Sequence, residues 1–191
     1  MIDSKEALRQ YLEQDKLALG RKGDKRPRLY GDEIWKFEIL LRKVEYYMNC
    51  GSGIFASVLT AYYKFRFHRL SIRLGFTIPP NVFAEGLAIP HYGTIVVHAN
   101  TKAGRNCRLQ EGVNIGATSG SHEAAVIGDN CFFGSGAKII GPVKIAEDVA
   151  VGAGAVVTKD ITEAGTTWAG VPAKKISDKN SHSNLCRDLF L

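Results

Sequence analysis

Histidine is the side chain best suited to moving a proton near neutral pH, and this chain has five: His68, His91, His98, His122 and His182. His91 stands in AIPHYGTIVV, and His98 follows seven residues on. As a metal pair these two lack a third ligand at useful spacing, so no metal is expected. His122 lies in ATSGSHEAA, where it is the only side chain suited to strong chemistry. His68 falls in a basic helical stretch and His182 in a polar C-terminal segment; neither suggests chemistry. The four cysteines, Cys50, Cys107, Cys131 and Cys186, form no C-x-x-C pair, which argues against a zinc site and against a secreted disulfide framework.

The elements that must position these groups follow from a count of six. Ala103, Leu109, Ile115, Ile127, Phe133, Ile139, Ile145, Val151 and Val157 share one phase, with Gly next in sequence at 104, 116, 128, 134 and 152. A second phase, Cys107, Val113, Cys131, Ala137, Val143, Val149 and Ala155, is small or compact. This is the signature of a left-handed parallel β-helix, a triangular coil of about 18 residues in which every sixth side chain points into a narrow interior. Ordinary strands would alternate in twos. The chain is therefore expected to be mainly β, with an N-terminal α-helical region.

Two places break the count. Stepping back in sixes from Ala103 reaches Val97 and then His91, which would put an imidazole in a dry aliphatic interior. Either the first coil is out of register or His91 faces a cleft, and a satisfied structural histidine is the plain alternative. Ile115 and Ile127 are twelve apart, but the residues between them include nothing like a buried strand side. Residues 117–125, with Ser119, Gly120 and Ser121, read as a loop extruded from the prism, a favoured position for binding groups.

Residues 1–76 carry 15 Lys/Arg against 9 Asp/Glu, and residues 77–191 carry 10 against 10, so the whole net charge of +6 lies in the N-terminal part. A solvated basic face accounts for this; attraction to an anionic acceptor or membrane surface is the sharper reading. No nucleic-acid motif accompanies the charge. Helices are expected over residues 4–19, from Asp32 as N-cap with Ile34, Phe37, Leu40, Leu41 and Val44 as its apolar stripe, and from about Ile54 to Leu74. The aromatics Tyr62, Tyr63, Phe65 and Phe67 are expected in the core or against the first coil. The domains read as a helical region (1–76), a β-helix (77–176) and a C-terminal tail (177–191). With no apolar leader, a cytoplasmic protein is expected.

IPHYGTIVV, GAKIIGP at 136–142, VGAGAVV at 151–157 and AGVPAK at 169–174 resemble the hexapeptide-repeat acyltransferases, particularly the serine acetyltransferase-like branch. The resemblance covers about half the chain closely. It implies a homotrimer of side-by-side prisms with acetyl-CoA in the groove between neighbours. It carries the catalytic histidine over to His91, as general base towards an acceptor hydroxyl, and the loop histidine to His122, for acceptor positioning or oxyanion stabilisation. Glu111, one coil further on, is a candidate to orient His91 or bind the acceptor. Gly116, Ala117, Gly136, Ala137 and Ala155 are candidate contacts for the pantetheine arm, and Lys174, beside Lys175, for the CoA phosphates. Trp168 is expected to cap that end. Transfer is expected to be direct, without an acyl-enzyme.

Serine acetyltransferases place an Asp before the catalytic histidine, another on the preceding strand and a basic residue before the loop histidine. This chain has Pro90, Thr77 and Ser121. Loss of those charges weakens a zwitterion site. The sequence therefore points first to O-acetylation of a sugar hydroxyl in surface or capsular polysaccharide, with possible peripheral association with a membrane-linked acceptor. Serine O-acetylation, in cysteine biosynthesis, is the alternative. A non-catalytic β-helix binding module is the alternative of another class.

Overall fold

The computed structural model describes residues 1–119 and 121–190; Gly120, part of the expected loop, lies outside them. Three helices lead: α1 (Lys5–Ala18), α2 (Glu33–Cys50) and α3 (Gly53–Leu74). Then come short strands: β1 (Phe76–Thr77), β2 (Ile95–Val97), β3 (Lys102–Ala103), β4 (Arg108–Leu109), β5 (Asn114–Gly116), β6 (Val126–Ile127), β7 (Phe132–Phe133), β8 (Lys138–Ile140), β9 (Lys144–Ile145), β10 (Ala150–Val151), β11 (Val156–Val157), β12 (Thr167–Ala169) and β13 (Lys174–Ser177). Their pairing makes the three faces of a prism, β1-β2-β5-β8-β11, β13-β12-β10-β7-β4 and β3-β6-β9, parallel throughout except β12 with β13. The chain is thus mainly β with N-terminal helices, a left-handed β-helix fold.

Both hexad phases are buried. Leu109, Ile115, Phe133, Ile139 and Val151 stack with Cys107, Cys131, Ala137 and Ala155 in one apolar column. The coils approach so closely that a Cβ on Gly134 would lie 2.6 Å from Ala153 N, which explains a residue without one there.

The pairing register shows where the count fails and why. Ile127 pairs with Ile145 and Ile139 pairs with Val157, both 18 apart, whereas Ile115 pairs with Ile139, 24 apart. The six surplus residues are the extruded segment carrying His122. A smaller surplus lies earlier. Ala88 bridges Arg108, and Val96 pairs with Asn114, so eight steps in the first coil face six in the next. The two extra residues fall between Ile89 and Ile95, and the corner containing Pro90, His91, Tyr92 and Gly93 is pushed outward. His91 is therefore exposed and not interior; the first coil is out of register.

One corner carries a polar ladder that the sequence pattern did not reveal. Asn106, Asn130 and Asp148 all adopt left-handed backbone, with φ of 56°, 56° and 60°. Asn106 Nδ2 donates to Asn130 Oδ1 (2.8 Å), Asn130 Nδ2 donates to Asp148 Oδ1 (2.9 Å), and His182 Nε2 meets the same Asp148 oxygen at 2.8 Å. Asn and Asp tolerate this conformation better than other residues with a side chain. His182 also stacks on Phe190, and Lys22 reaches Asp188 at 2.9 Å, so the C-terminal segment is tied to both prism and helices.

Helix α2 buries its expected apolar stripe, and it buries charge as well. Arg42 is fully enclosed; its Nε and Nη2 donate to Asp15 of α1 (2.7 and 3.2 Å) and its Nη1 to Glu45 (2.9 Å). The same guanidinium donates to the carbonyls of Phe83 and Ala84 in the first coil. Asp15 accepts in addition from Gly86 N and Leu87 N, and Glu45 from Asn81 N. Asp32 differs from its expected role: its backbone is left-handed and its side chain caps nothing in α2, accepting instead from Arg28 N and Arg21. In α3, Tyr63 and Phe67 pack inward, stacking on Tyr47 and Phe37, but Tyr62 and Phe65 are exposed, contrary to the core expectation.

Removing the guanidinium would leave two buried carboxylates without their cation, so Arg42→Met should cost about 3–5 kcal/mol in urea unfolding; a loss below about 1 kcal/mol would contradict the clamp. Glu38, on the same helix, is fully buried as well. Burial raises its carboxyl well above the ordinary range, nearby Asp15 adds to this, and one oxygen has no hydrogen-bond partner. The folded state keeps this proton where the unfolded chain has lost it, so stability falls as pH rises above the ordinary Glu range. Glu38→Gln should flatten that decline above the ordinary Glu range; equal slopes for both proteins would refute it.

Candidate active site

The outward corner is fixed from two sides. Ile89, its first residue, is fully buried and its N–H donates to Glu38 Oε1 of α2 (3.1 Å). Gly93, near its end, has φ +140° and lies so close to the next coil that an added Cβ would sit 2.9 Å from Glu111 Cβ. His91 is held between these anchors, with Glu111 alongside. A hydrogen bond from Ser135 and the turn backbone hold the Glu111 carboxyl below the usual range, and His91 contributes further. An anion therefore faces the imidazole corner.

Beside His91, a cavity is lined by Leu19, Arg21, Asp32, Trp35, Pro90 and Tyr92, among others. Arg21 and Asp32 pair across it at 2.5 Å, and the Arg21 guanidinium lies over the Trp35 ring at 5.9 Å. Asp32 is held low first by its bond from Arg28 N–H, with the Arg21 and Arg28 charges adding to this. Sequence reasoning missed this cavity because its charged pair comes from the helical region, far from the hexads in sequence. Thr77 is exposed in β1, paired with Val96.

His122 is at the other end of the same face. Asn100, just past β2, donates through Nδ2 to the His122 carbonyl (2.7 Å), and its N–H donates to His98 Nδ1 (3.2 Å). Gly93 and His98 flank β2, separated by about 17 Å of extended chain. Within one chain, then, His91 and His122 are not brought together. Gly136 stacks at the His91 corner, its N–H donating to Glu111 O, whereas Gly116 and Ala117 stand half-buried at the His122 end.

Ala137 and Ala155 need correction as cofactor contacts. Both are fully buried in the prism, so their methyl groups fill the interior and face no outer groove. Lys174 is exposed beside a cavity that Trp168, Pro172 and Val157 also line. Lys175 is occupied, bridging Glu163 (2.5 Å) and Asp178 (2.6 Å). Trp168 packs on the last coil, and its Nε1 donates to Thr166 Oγ1. Among the described residues, no three His, Cys, Asp or Glu side chains are grouped to hold a metal ion.

Burial pushes the Cys131 thiol up to about 12 and Cys107 well above its usual value. Such thiols do not supply a nucleophilic thiolate near neutral pH.

Comparison with known proteins agrees with the fold. The family model "Bacterial transferase hexapeptide (six repeats)" matches residues 124–159. A serine acetyltransferase of Mycobacterium tuberculosis is 32% identical over 100 residues, 51% of this chain and 43% of that protein. The crystal structure of Neisseria gonorrhoeae serine acetyltransferase superposes with a TM-score of 0.69 at 23% identity, covering 94% of this chain and 70% of that one. A serine acetyltransferase in complex with CoA gives a TM-score of 0.69 at 20% identity, covering 90% and 71%. The chain thus spans about half the length of the first curated relatives it matches.

The His91 corner has a direct stability signature. Gly154 has φ +66° and open space around it, so Gly154→Ala should cost about 1–2 kcal/mol, the left-handed penalty alone. Gly93→Ala adds overlap with Glu111 and should cost measurably more in urea unfolding. An equal or smaller loss at Gly93 would contradict the close crossing.

Proposed function

We propose that this hexapeptide-repeat protein, serine acetyltransferase-like in sequence and fold, is an acetyl-CoA-dependent O-acetyltransferase with His91 as its general base. The observation that carries the reading is the exposed His91 on a two-residue outward corner, with the Glu111 carboxylate beside it. His91 takes the proton from the acceptor hydroxyl as that oxygen bonds to the acetyl carbonyl carbon. The imidazolium then returns the proton to the departing CoA sulfur, so one O–C bond replaces one S–C bond. Glu111 favours the transient imidazolium. The elevated thiols of Cys107 and Cys131 support direct transfer over an acyl-enzyme.

CoA suits the outer surface at Gly116, Ala117 and Gly136, where small residues leave room for an amide-bearing arm, and Lys174 is free to meet phosphate. His122 would complete the site from a neighbouring prism in a homotrimer, because its own His91 stands across the face. That arrangement predicts complementation. His91→Ala and His122→Ala subunits, each inactive alone, should regain part of the activity when unfolded and refolded together; no recovery would contradict a shared site.

The relatives' names favour L-serine as the acceptor over the polysaccharide sugar expected from sequence. The Arg21–Asp32 pair beside Pro90 also brings charge of both signs near His91, which sequence reasoning had found missing. A sugar hydroxyl remains the second reading because Pro90, Thr77 and Ser121 replace the charges a serine site is expected to carry. Thiol release from acetyl-CoA with L-serine and with a panel of sugars separates the two. Saturable serine turnover supports the first reading and sugar-only turnover the second. In either assay His91→Ala should lose about 100-fold or more in kcat; full activity would refute the base assignment, and no transfer by the parent protein would leave only a binding module.

A further inference from the structure

Helix α3 has two stripes at heptad spacing, and one has no partner. Ala56, Thr60, Tyr63, Phe67, Leu70 and Leu74 turn inward. Phe55, Val58, Tyr62, Phe65 and Ile72 run along another side and are exposed; Phe55 is 84%, Phe65 61% and Ile72 68% accessible. The exposed stripe extends over about 26 Å of helix.

Its surroundings carry charge of one sign. No Asp or Glu occurs from Tyr46 to Ala84, whereas Lys64, Arg66, Arg69 and Arg73 all lie on α3 and are exposed. The Arg66 guanidinium lies over the Tyr62 ring at 5.6 Å and that of Arg69 over Phe65 at 5.7 Å. Apolar rings and cations therefore form one mixed strip. Packed against the same strip of a second copy, these cations would face each other. An anionic lipid surface answers both features, taking the rings into the acyl boundary and the guanidinium groups among the phosphates. Among the described residues no helix is long and apolar enough to cross a membrane, so the contact would be peripheral.

We propose that α3 is a membrane-docking helix that lays Phe55, Val58, Tyr62, Phe65 and Ile72 on an anionic bilayer. This goes beyond the acetyl-transfer reading and stands or falls without it.

Co-sedimentation with phosphatidylcholine vesicles, with and without phosphatidylglycerol, tests the proposal. The full chain should bind the anionic vesicles, and binding should weaken with salt. Phe55→Ser/Phe65→Ser and, separately, Arg66→Glu/Arg69→Glu should each weaken it about tenfold or more, while Lys144→Glu, exposed on the prism, leaves it unchanged. Three results would overturn it: no binding by the parent protein, undiminished binding by Phe55→Ser/Phe65→Ser, or equal loss in Lys144→Glu. A fourth is a fall in oligomeric state of Phe55→Ser/Phe65→Ser by light scattering, which would show that a second copy covers the stripe.

Discussion

The interior of the prism accepts 18 residues per turn, and the rest of the molecule follows from that limit. Leu109, Phe133 and Val151 stack in register, as do Ile115, Ile139 and Val157, because each aliphatic side chain fits only directly beneath its counterpart. Chain beyond the quota cannot stay inside without displacing that column, so it leaves. The two surpluses, two residues before β2 and six between β5 and β6, carry His91 and His122. A rigid repeat thus turns small insertions into outward corners at fixed places, and imidazoles there reach solvent without costing the core its packing.

Such a corner is useful only if the first coil, which has no coil before it, is held firmly. Arg42 does this with five hydrogen bonds that tie α1, α2 and the backbone at Phe83 and Ala84 together. Burying a guanidinium is costly, and two carboxylates with two carbonyls offset the cost by satisfying every donor direction it presents. Burial raises the Asp15 carboxyl above its usual range, while Arg42 and the N–H groups of Gly86 and Leu87 oppose that rise. Glu38 extends the contact to Ile89, at the base of the His91 corner. The helices are therefore part of the site's foundation.

The prism was legible because hexad burial repeats: Ala103 to Val157 could be read inward one by one, and the gap after Ile115 marked the loop. His91 was harder. The count placed it inside, and only the pairing of Ala88 with Arg108 and Val96 with Asn114 shows the bulge. Ala137 and Ala155 were legible as interior fillers and misread as cofactor contacts, since the same smallness serves both purposes. The Arg42 cluster and the Arg21–Asp32 cavity left no periodic trace, because their partners lie in different elements. The exposed half of α3 escaped for a related reason: two apolar stripes on one helix look alike in sequence, and only the fold shows which is covered.

The central claim is that the outward corner at His91 is the reaction centre. A crystal structure with CoA bound tests it most directly. The account predicts the CoA sulfur within about 4 Å of the His91 imidazole, near enough for an acceptor oxygen to bridge the two. A sulfur seated away from His91, with no path for an acceptor between them, would contradict it.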